Sequence, residues 1–363
     1  MTKIASFRPT LVRLTRVGAS SPDVLSLSGA LPAPHLLPDS LTAAATGVVS
    51  SHGLQYGWAE GNLAIRTWIV ERMKSRGAVV DTSDIIVTHG AQEALSLIAS
   101  VLPNGSRVAF DEETYPGAIK AMSLFHHRPV KHGDEADACY VIDGIANPYG
   151  IDNVRPRREA LLASKLQLIV DEAYAELQFG DQRLRPLYAD APDRVWHVGS
   201  TSKSIAPGLR IGWVIPPRHR LQDVLRNKDA FNLETGTYAQ AVLAAWLKKR
   251  GRYDRLVERA RRLYSARAER LMSSLVSHLP QWRPIRPEGG MSLWVETDLE
   301  GDDVDFLGHA TTYGVSFDPD SMFRAFPSNS DKIAMRLSFS HGRFDQIDEA
   351  IRRLKTAALT FNS

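Results

Sequence analysis

Much that would mark a secreted, membrane-spanning or nucleic-acid-binding protein is missing from this 363-residue chain. It has one cysteine, Cys139, so no intrachain disulfide can form, which fits a reducing compartment. Cys139 sits in the apolar stretch Cys139-Tyr-Val-Ile142 and reads as a small buried hydrophobe rather than a nucleophile. Apolar-rich stretches such as Leu95 to Leu102 are too short to span a bilayer. The start, Met1-Thr-Lys-Ile-Ala-Ser-Phe-Arg-Pro9, lacks the apolar core of a secretory signal, so a cytoplasmic location is expected. Lysine and arginine total 44 against 41 acidic residues, and a net charge of +3 gives no field to attract nucleic acid or an anionic membrane. Internal repeats and low-complexity tracts are absent as well.

What is there is an ordinary globular composition, 44% hydrophobic and 23% charged, long enough for about two domains. From about residue 61 the pattern is helical: Ile65, Trp68, Ile69 and Met73 share a face, and Gly77 is placed to end the helix. Short apolar runs then alternate with longer segments. Asp84–Thr88, Arg107–Phe110, Cys139–Ile142, Leu166–Val170, Val195–Val198 and Ile211–Ile215 read as strands, and the stretches between them as crossovers. That alternation predicts an α/β domain with a mostly parallel sheet. Residues 220–279 read as helical, with Arg259, Arg261, Arg262, Arg267 and Arg270 on a solvated face interleaved with Glu258 and Glu269. Ile333–Phe339 alternates as a strand does, and Phe344–Leu359 reads as a closing helix.

The chemistry gathers around Ser200-Thr-Ser-Lys203-Ser-Ile-Ala-Pro-Gly-Leu-Arg210. An amine, two hydroxyls (Ser200 and Ser202) and a guanidinium share one small-residue loop, a set suited to an imine-forming nucleophile beside a bound phosphate. Asp171 follows an apolar strand, where open α/β sheets bind ligands. It reads either as a helix N-cap or as a carboxylate that keeps a ring nitrogen protonated. Tyr174, three residues on, can hydrogen-bond a ring oxygen. Gly90-Ala91-Gln92 lies between a strand and a helix, where backbone N–H groups receive phosphate. Tyr115, just past the Arg107–Phe110 strand, is either a stacking ring or a buried tyrosine. Asn147-Pro-Tyr-Gly150 is a turn by composition. Arg336, in an alternating strand, is either exposed or a bidentate receptor for an α-carboxylate.

Ten segments stand in an order that resembles class I/II aminotransferases of pyridoxal-phosphate (PLP) fold type I, nearest the aminoadipate and kynurenine aminotransferases and the aminotransferase half of MocR-type regulators. They are Gly29-Ala-Leu-Pro32, Tyr56-Gly57, Gly90-Ala-Gln92, Tyr115-Pro-Gly117, Asn147-Pro148, Asp171–Tyr174, Ser200–Lys203, Arg210, Gly289-Gly290 and Arg336. The resemblance implies a large PLP-binding α/β domain, residues 46–280, whose mostly parallel sheet is of the seven-stranded type and flanked by helices. It also implies a small α+β domain from both chain ends, residues 1–45 and 281–363. By the same resemblance Lys203 forms the aldimine and shuttles protons, Asp171 pairs with the pyridine nitrogen, and Tyr115 stacks on the ring. Asn147 and Tyr174 bind the 3′-oxygen. Ser200, Ser202, Arg210, Gly90, Ala91 and Gln92 hold the phosphate, with Tyr56 from the other subunit of a homodimer. Gly29, Asn147 and Arg336 receive the substrate carboxylate. No metal is implied.

The implied activity is transfer of an amino group from an α-amino acid to a 2-oxo acid. The alternatives that keep the cofactor are a lyase, a decarboxylase, or a biosynthetic cyclisation or oxidation; a PLP-binding sensor stands further off. The chain departs from the family at Tyr149, where a threonine is usual, and at Asp320, where a Pro-Gly turn is usual. It carries no winged-helix segment ahead of the resemblance, so a free-standing enzyme is expected. His35, Leu36 and Trp58 are the residues considered for side-chain specificity, but the pattern does not identify the donor.

Overall fold

The computed structural model describes residues 23–47, 51–180, 184–328 and 330–361; the expectations for residues 1–22 lie outside them. Its central feature is a seven-stranded sheet. From edge to edge the order is Ile86–Thr88, Gly212–Ile215, Val195–Ser200, Gln167–Asp171, Ala138–Ile142, Arg107–Phe110 and Arg128–Lys131. Every pairing is parallel except the two made by Gly212–Ile215. The predicted strands all appear, with ends shifted by a residue or two. Arg128–Lys131 is an addition: Pro129 and its polar flanks hide an edge strand held by one neighbour.

The three middle strands are buried at every position but Gln167, as two covered faces require, and two cores flank them. One core takes Ile65, Ile69 and Met73 from the helix Leu63–Ser75, whose cap Asn62 accepts from the Ala64 N–H. Gly77 follows at φ +85°, ending that helix as expected. The other core holds the apolar face of the helix Ala91–Val101. Cys139 is buried, and burial pushes its thiol up to about 12, so it is an inert core residue.

A second sheet, of four antiparallel strands, runs Asp318–Pro319, Lys332–Ser338, Ser292–Glu300, Arg283–Pro284. Its core includes Leu27, Ala30 and Leu36 from the N-terminal segment and Ile347, Ile351 and Leu354 from the closing helix Ile347–Thr360. Leu25–Ser26 pairs in parallel with Val315–Ser316, which ties the two chain ends together. The 27-residue helix Arg252–His278 joins the two regions. Tyr253 and Val257 belong to the core that holds Ile65, and Tyr264, Leu271 and Leu275 to the core of the four-stranded sheet.

One expectation fails on that helix. Arg267 is not on a solvated face: it is buried, and its guanidinium donates to the carbonyls of Phe339 and Ser340. Arg261 likewise donates to the Glu176 carbonyl. The helix turns these arginines towards main-chain oxygens that reach it from distant loops, and a charge-rich stretch thereby gains a packed face. Among the described residues no helix is long and apolar enough to cross a membrane.

Candidate active site

A cleft of about 260 Å³ opens at the carboxyl edge of the parallel strands. Lining it are Gly29, Ala91, Gln92, Tyr115, Asn147, Asp171, Tyr174, Ser200, Ser202, Lys203, Arg210 and Arg336, so nearly every residue singled out from the sequence meets there. Gly90 lies directly behind Ala91. Tyr56 is the exception: it is 79% exposed and outside the cleft. His35, Leu36 and Trp58 are also absent from its wall.

The sheet explains the convergence. Successive parallel strands deliver Asp171 and the Ser200 turn to one edge, and Lys203 follows in that turn. The single antiparallel strand, Gly212–Ile215, begins where its neighbours end, so Arg210, just before it, arrives at the same edge. Arg210 adopts φ +52° and its Nη2 donates to the His89 carbonyl at 3.0 Å, beside the start of the helix Ala91–Val101. Gly90 caps that start at φ +79°, and a Cβ there would lie 2.9 Å from Arg210 Nη2. The backbone conformation favours glycine there, and a side chain would also push the guanidinium from its place. Ser200 Oγ donates to Ser202 Oγ at 3.0 Å and accepts from the Ser202 N–H at 3.1 Å, which holds the two hydroxyls together in the cleft that Arg210 also lines.

Lys203 Nζ donates to the Ala30 carbonyl at 3.1 Å and lies 5.3 Å from the Tyr174 ring centroid. Asp171 is buried, and among the described contacts its carboxylate accepts from two neutral donors: the Ala173 N–H at 2.9 Å and the Tyr140 hydroxyl at 2.9 Å. Burial raises its carboxyl above the ordinary value, although those two hydrogen bonds pull the other way. Tyr115 donates to Gln92 Oε1 at 3.0 Å, while Gln92 Nε2 donates to the Gly117 carbonyl at 2.9 Å. Burial pushes the Tyr115 phenol up to about 12, so it stays a neutral ring.

Across the cleft, Arg336 is buried rather than exposed. Its Nε and Nη2 donate to Asp318 Oδ2 at 3.1 and 2.7 Å, its Nη1 donates to Asn147 Oδ1, and the Phe323 ring covers it at 4.6 Å. The two departures from the family pattern lie beside this wall. The Tyr149 hydroxyl donates to Glu113, and Asp320 pairs with Arg324 while burial pushes its carboxyl up to about 6.

Three neighbours of the site were missed from sequence. Tyr140 left a usable signal, one polar tip inside a buried apolar strand. Asp318 and the Ala30 carbonyl left none, because their partners are 18 and 173 residues away.

The donor set suits a phosphorylated aromatic carrying a ring N–H. Arg210, two hydroxyls and a glycine-led helix start line the cleft together with a buried carboxylate bonded to neutral donors and a primary amine.

Comparisons with known proteins agree. A family model described as aminotransferase class I and II matches residues 28–354. The chain is 31% identical to the aromatic-amino-acid aminotransferase 1 of Thermococcus litoralis, over 92% of this chain and 87% of that protein. It is 31% identical to the 2-aminoadipate transaminase of Thermus thermophilus, over 96% and 92%. The crystal structure of the α-aminoadipate aminotransferase of Thermus thermophilus, complexed with N-(5′-phosphopyridoxyl)-L-leucine, matches with a TM-score of 0.85 at 28% identity. That match covers 97% of this chain and 95% of the other.

Proposed function

The chain belongs to the class I and II aminotransferases, and from that premise we propose how its own residues carry the reaction. It is a PLP-dependent transferase of nitrogenous groups that takes an amino acid and a 2-oxo acid as substrates. When bound, PLP supplies a protonated ring that accepts electron density from the substrate's Cα.

In this reading Lys203 is the catalytic amine: its Nζ would hold the cofactor through the aldehyde and would carry a proton to and from the substrate's Cα. Asp171 keeps the ring nitrogen protonated, and Tyr140, donating to the same carboxylate, holds it in place. Tyr115 flanks the ring, while Asn147 and Tyr174 hold its oxygen. The phosphate falls to Ser200, Ser202, Arg210 and the Gly90–Gln92 turn, and the substrate carboxylate to Gly29, Asn147 and Arg336. The observation that carries the assignment is Asp171: a buried carboxylate in the wall of the cleft, bonded to neutral donors and raised by burial, gains most from a cationic ring nitrogen.

Tyr56 is assigned to the phosphate site of a second copy in a homodimer. Its exposure, shared with Leu54, Trp58 and Leu63, supports a face that another subunit covers. Residues 46–280 are taken as the cofactor-bearing unit, and 1–45 with 281–363 as the smaller one. The two sheets fall on either side of that boundary, and the helix Arg252–His278 packs into both cores. A cytoplasmic location accords with the lone buried thiol.

The test is spectroscopic. The holoenzyme should lose its lysine-bound cofactor absorbance on adding an amino donor, with one equivalent of 2-oxo acid released and pyridoxamine phosphate left on the protein. Release of ammonia or carbon dioxide without pyridoxamine phosphate would overturn the transfer. Lys203→Ala should remove the absorbance altogether, and a variant that kept it would refute the assignment of the amine.

A further inference from the structure

Three cationic side chains line the cleft: Lys203, Arg210 and Arg336. Two of them donate to carbonyls, Lys203 to Ala30 and Arg210 to His89, and so keep their charge for a ligand. Arg336 differs. Asp318 stands directly opposite it in the antiparallel register, is itself 1% exposed, and takes both Nε and Nη2 on one carboxylate oxygen. The same oxygen accepts the Gly29 N–H at 2.9 Å. One buried carboxylate therefore engages two of the three groups assigned to the substrate's carboxylate, and Asn147 engages the same guanidinium on its other side.

We propose that Asp318 is a specificity-determining residue: a resident counter-ion that makes the carboxylate receptor charge-neutral, so that the site selects monocarboxylic amino and 2-oxo acids over dicarboxylic ones. This rests on the reading that Arg336 receives the substrate carboxylate. The guanidinium has five N–H donors in a planar fork. Asp318 takes the Nε side, Asn147 takes one Nη1 proton, and one proton on each Nη is left for a ligand carboxylate. Hydrogen bonds can thus fix the ligand's orientation, but the net charge that would draw it in is already cancelled.

A second carboxylate fares worse. With Lys203 and Arg210 committed to the cofactor's aldehyde and phosphate, this chain brings no further cation to the cleft wall among the described residues. The nearby acids are already engaged, Asp320 with Arg324 and Glu113 with the Tyr149 hydroxyl. A second carboxylate entering there meets Arg324 already paired with Asp320 and must be desolvated, a cost that a neutral or basic side chain avoids.

The experiment titrates the visible absorbance of the PLP-loaded enzyme with propionate and with succinate, neither of which can be transaminated. The wild-type protein should bind succinate no more tightly than propionate; clearly tighter succinate binding would overturn the proposal, and this arm needs no variant. Asp318→Asn keeps the shape and removes the charge, and propionate should then bind about tenfold more tightly. In turnover the variant's change should fall on KM for the amino acid and not on kcat. Unchanged or weaker propionate binding in a folded Asp318→Asn protein would mean that Asp318 only holds the loop, and would also overturn the proposal. If the variant fails to fold, the wild-type pair of titrations decides. Failure of the functional reading is separate, since it would appear as loss of the lysine-bound absorbance or of amino transfer itself.

Discussion

The two walls of the cleft handle charge in opposite ways. The wall built from the seven-stranded sheet leaves charge unspent: Lys203 and Arg210 bond to carbonyls, and Asp171 bonds to an N–H and a hydroxyl. The wall built around the four-stranded sheet is already balanced, Arg336 against Asp318 and Asp320 against Arg324. An unbalanced buried charge is costly without its ligand and rewarding with it, whereas a balanced pair contributes orientation and little net attraction. On the proposed assignment PLP would be gripped by charge, and the substrate would be read by hydrogen bonds and shape.

The sharpest way to break this contrast is to neutralise the cofactor wall. Asp171→Asn preserves volume but removes the charge that we propose keeps the ring nitrogen protonated. Its kcat should fall about 10²- to 10³-fold, the scale of losing one preorganised electrostatic group. Steady-state rates on an amino donor the wild type uses would show it; a loss below tenfold would place the ring's electronic control elsewhere. Arg210→Gln comes next. A charged hydrogen bond to phosphate is worth about 1.5–3 kcal/mol, so PLP affinity should drop roughly ten- to a hundredfold. Equilibrium dialysis of the cofactor measures this directly, and unchanged affinity would mean that the helix start and hydroxyls suffice.

The same contrast marks what the sequence could tell. The cofactor wall was legible because each of its residues ends or follows a short apolar strand, and strand order then forces them together. Even the antiparallel strand kept the pattern, since Arg210 precedes Ile211 wherever that run lies in the sheet. The balanced wall was not legible in the same way. Whether Arg336 is exposed or buried depends on Asp318 facing it, which the register fixes and local pattern does not. Arg267 fails as a solvated charge for a related reason: its acceptors are main-chain carbonyls 72 and 73 residues away, and carbonyls leave no mark in a sequence. The Arg128–Lys131 strand went unseen because one neighbour, and not its own composition, holds it in the sheet.

The smallest expected effect lies near the cofactor wall, at Asp143, and it concerns stability rather than catalysis. Asp143 follows the strand Ala138–Ile142, is buried, and accepts the Leu187 N–H at 3.3 Å. Burial pushes its carboxyl up to about 7, the nearby Glu172 carboxylate adds to this, and Arg76 opposes it. Glu172 sits close by with its carboxyl held down at about 2, since Arg76 and His197 outweigh its burial. The raised value fixes the sign. Between the ordinary carboxyl value of about 3.9 and pH 7, the folded protein holds a proton that the unfolded chain has lost. Unfolding releases that proton, so this group's contribution to stability falls as pH rises through the window and is level above it. Asp143→Asn can still accept from Leu187 but cannot ionise. Its stability relative to wild type should therefore climb between about pH 5 and pH 7 and then plateau, with Tm about 2 °C or more above wild type at the plateau. Thermal melts of the two proteins across that range measure the difference. Parallel curves would mean that Arg76 compensates Asp143 as fully as Asp318 compensates Arg336.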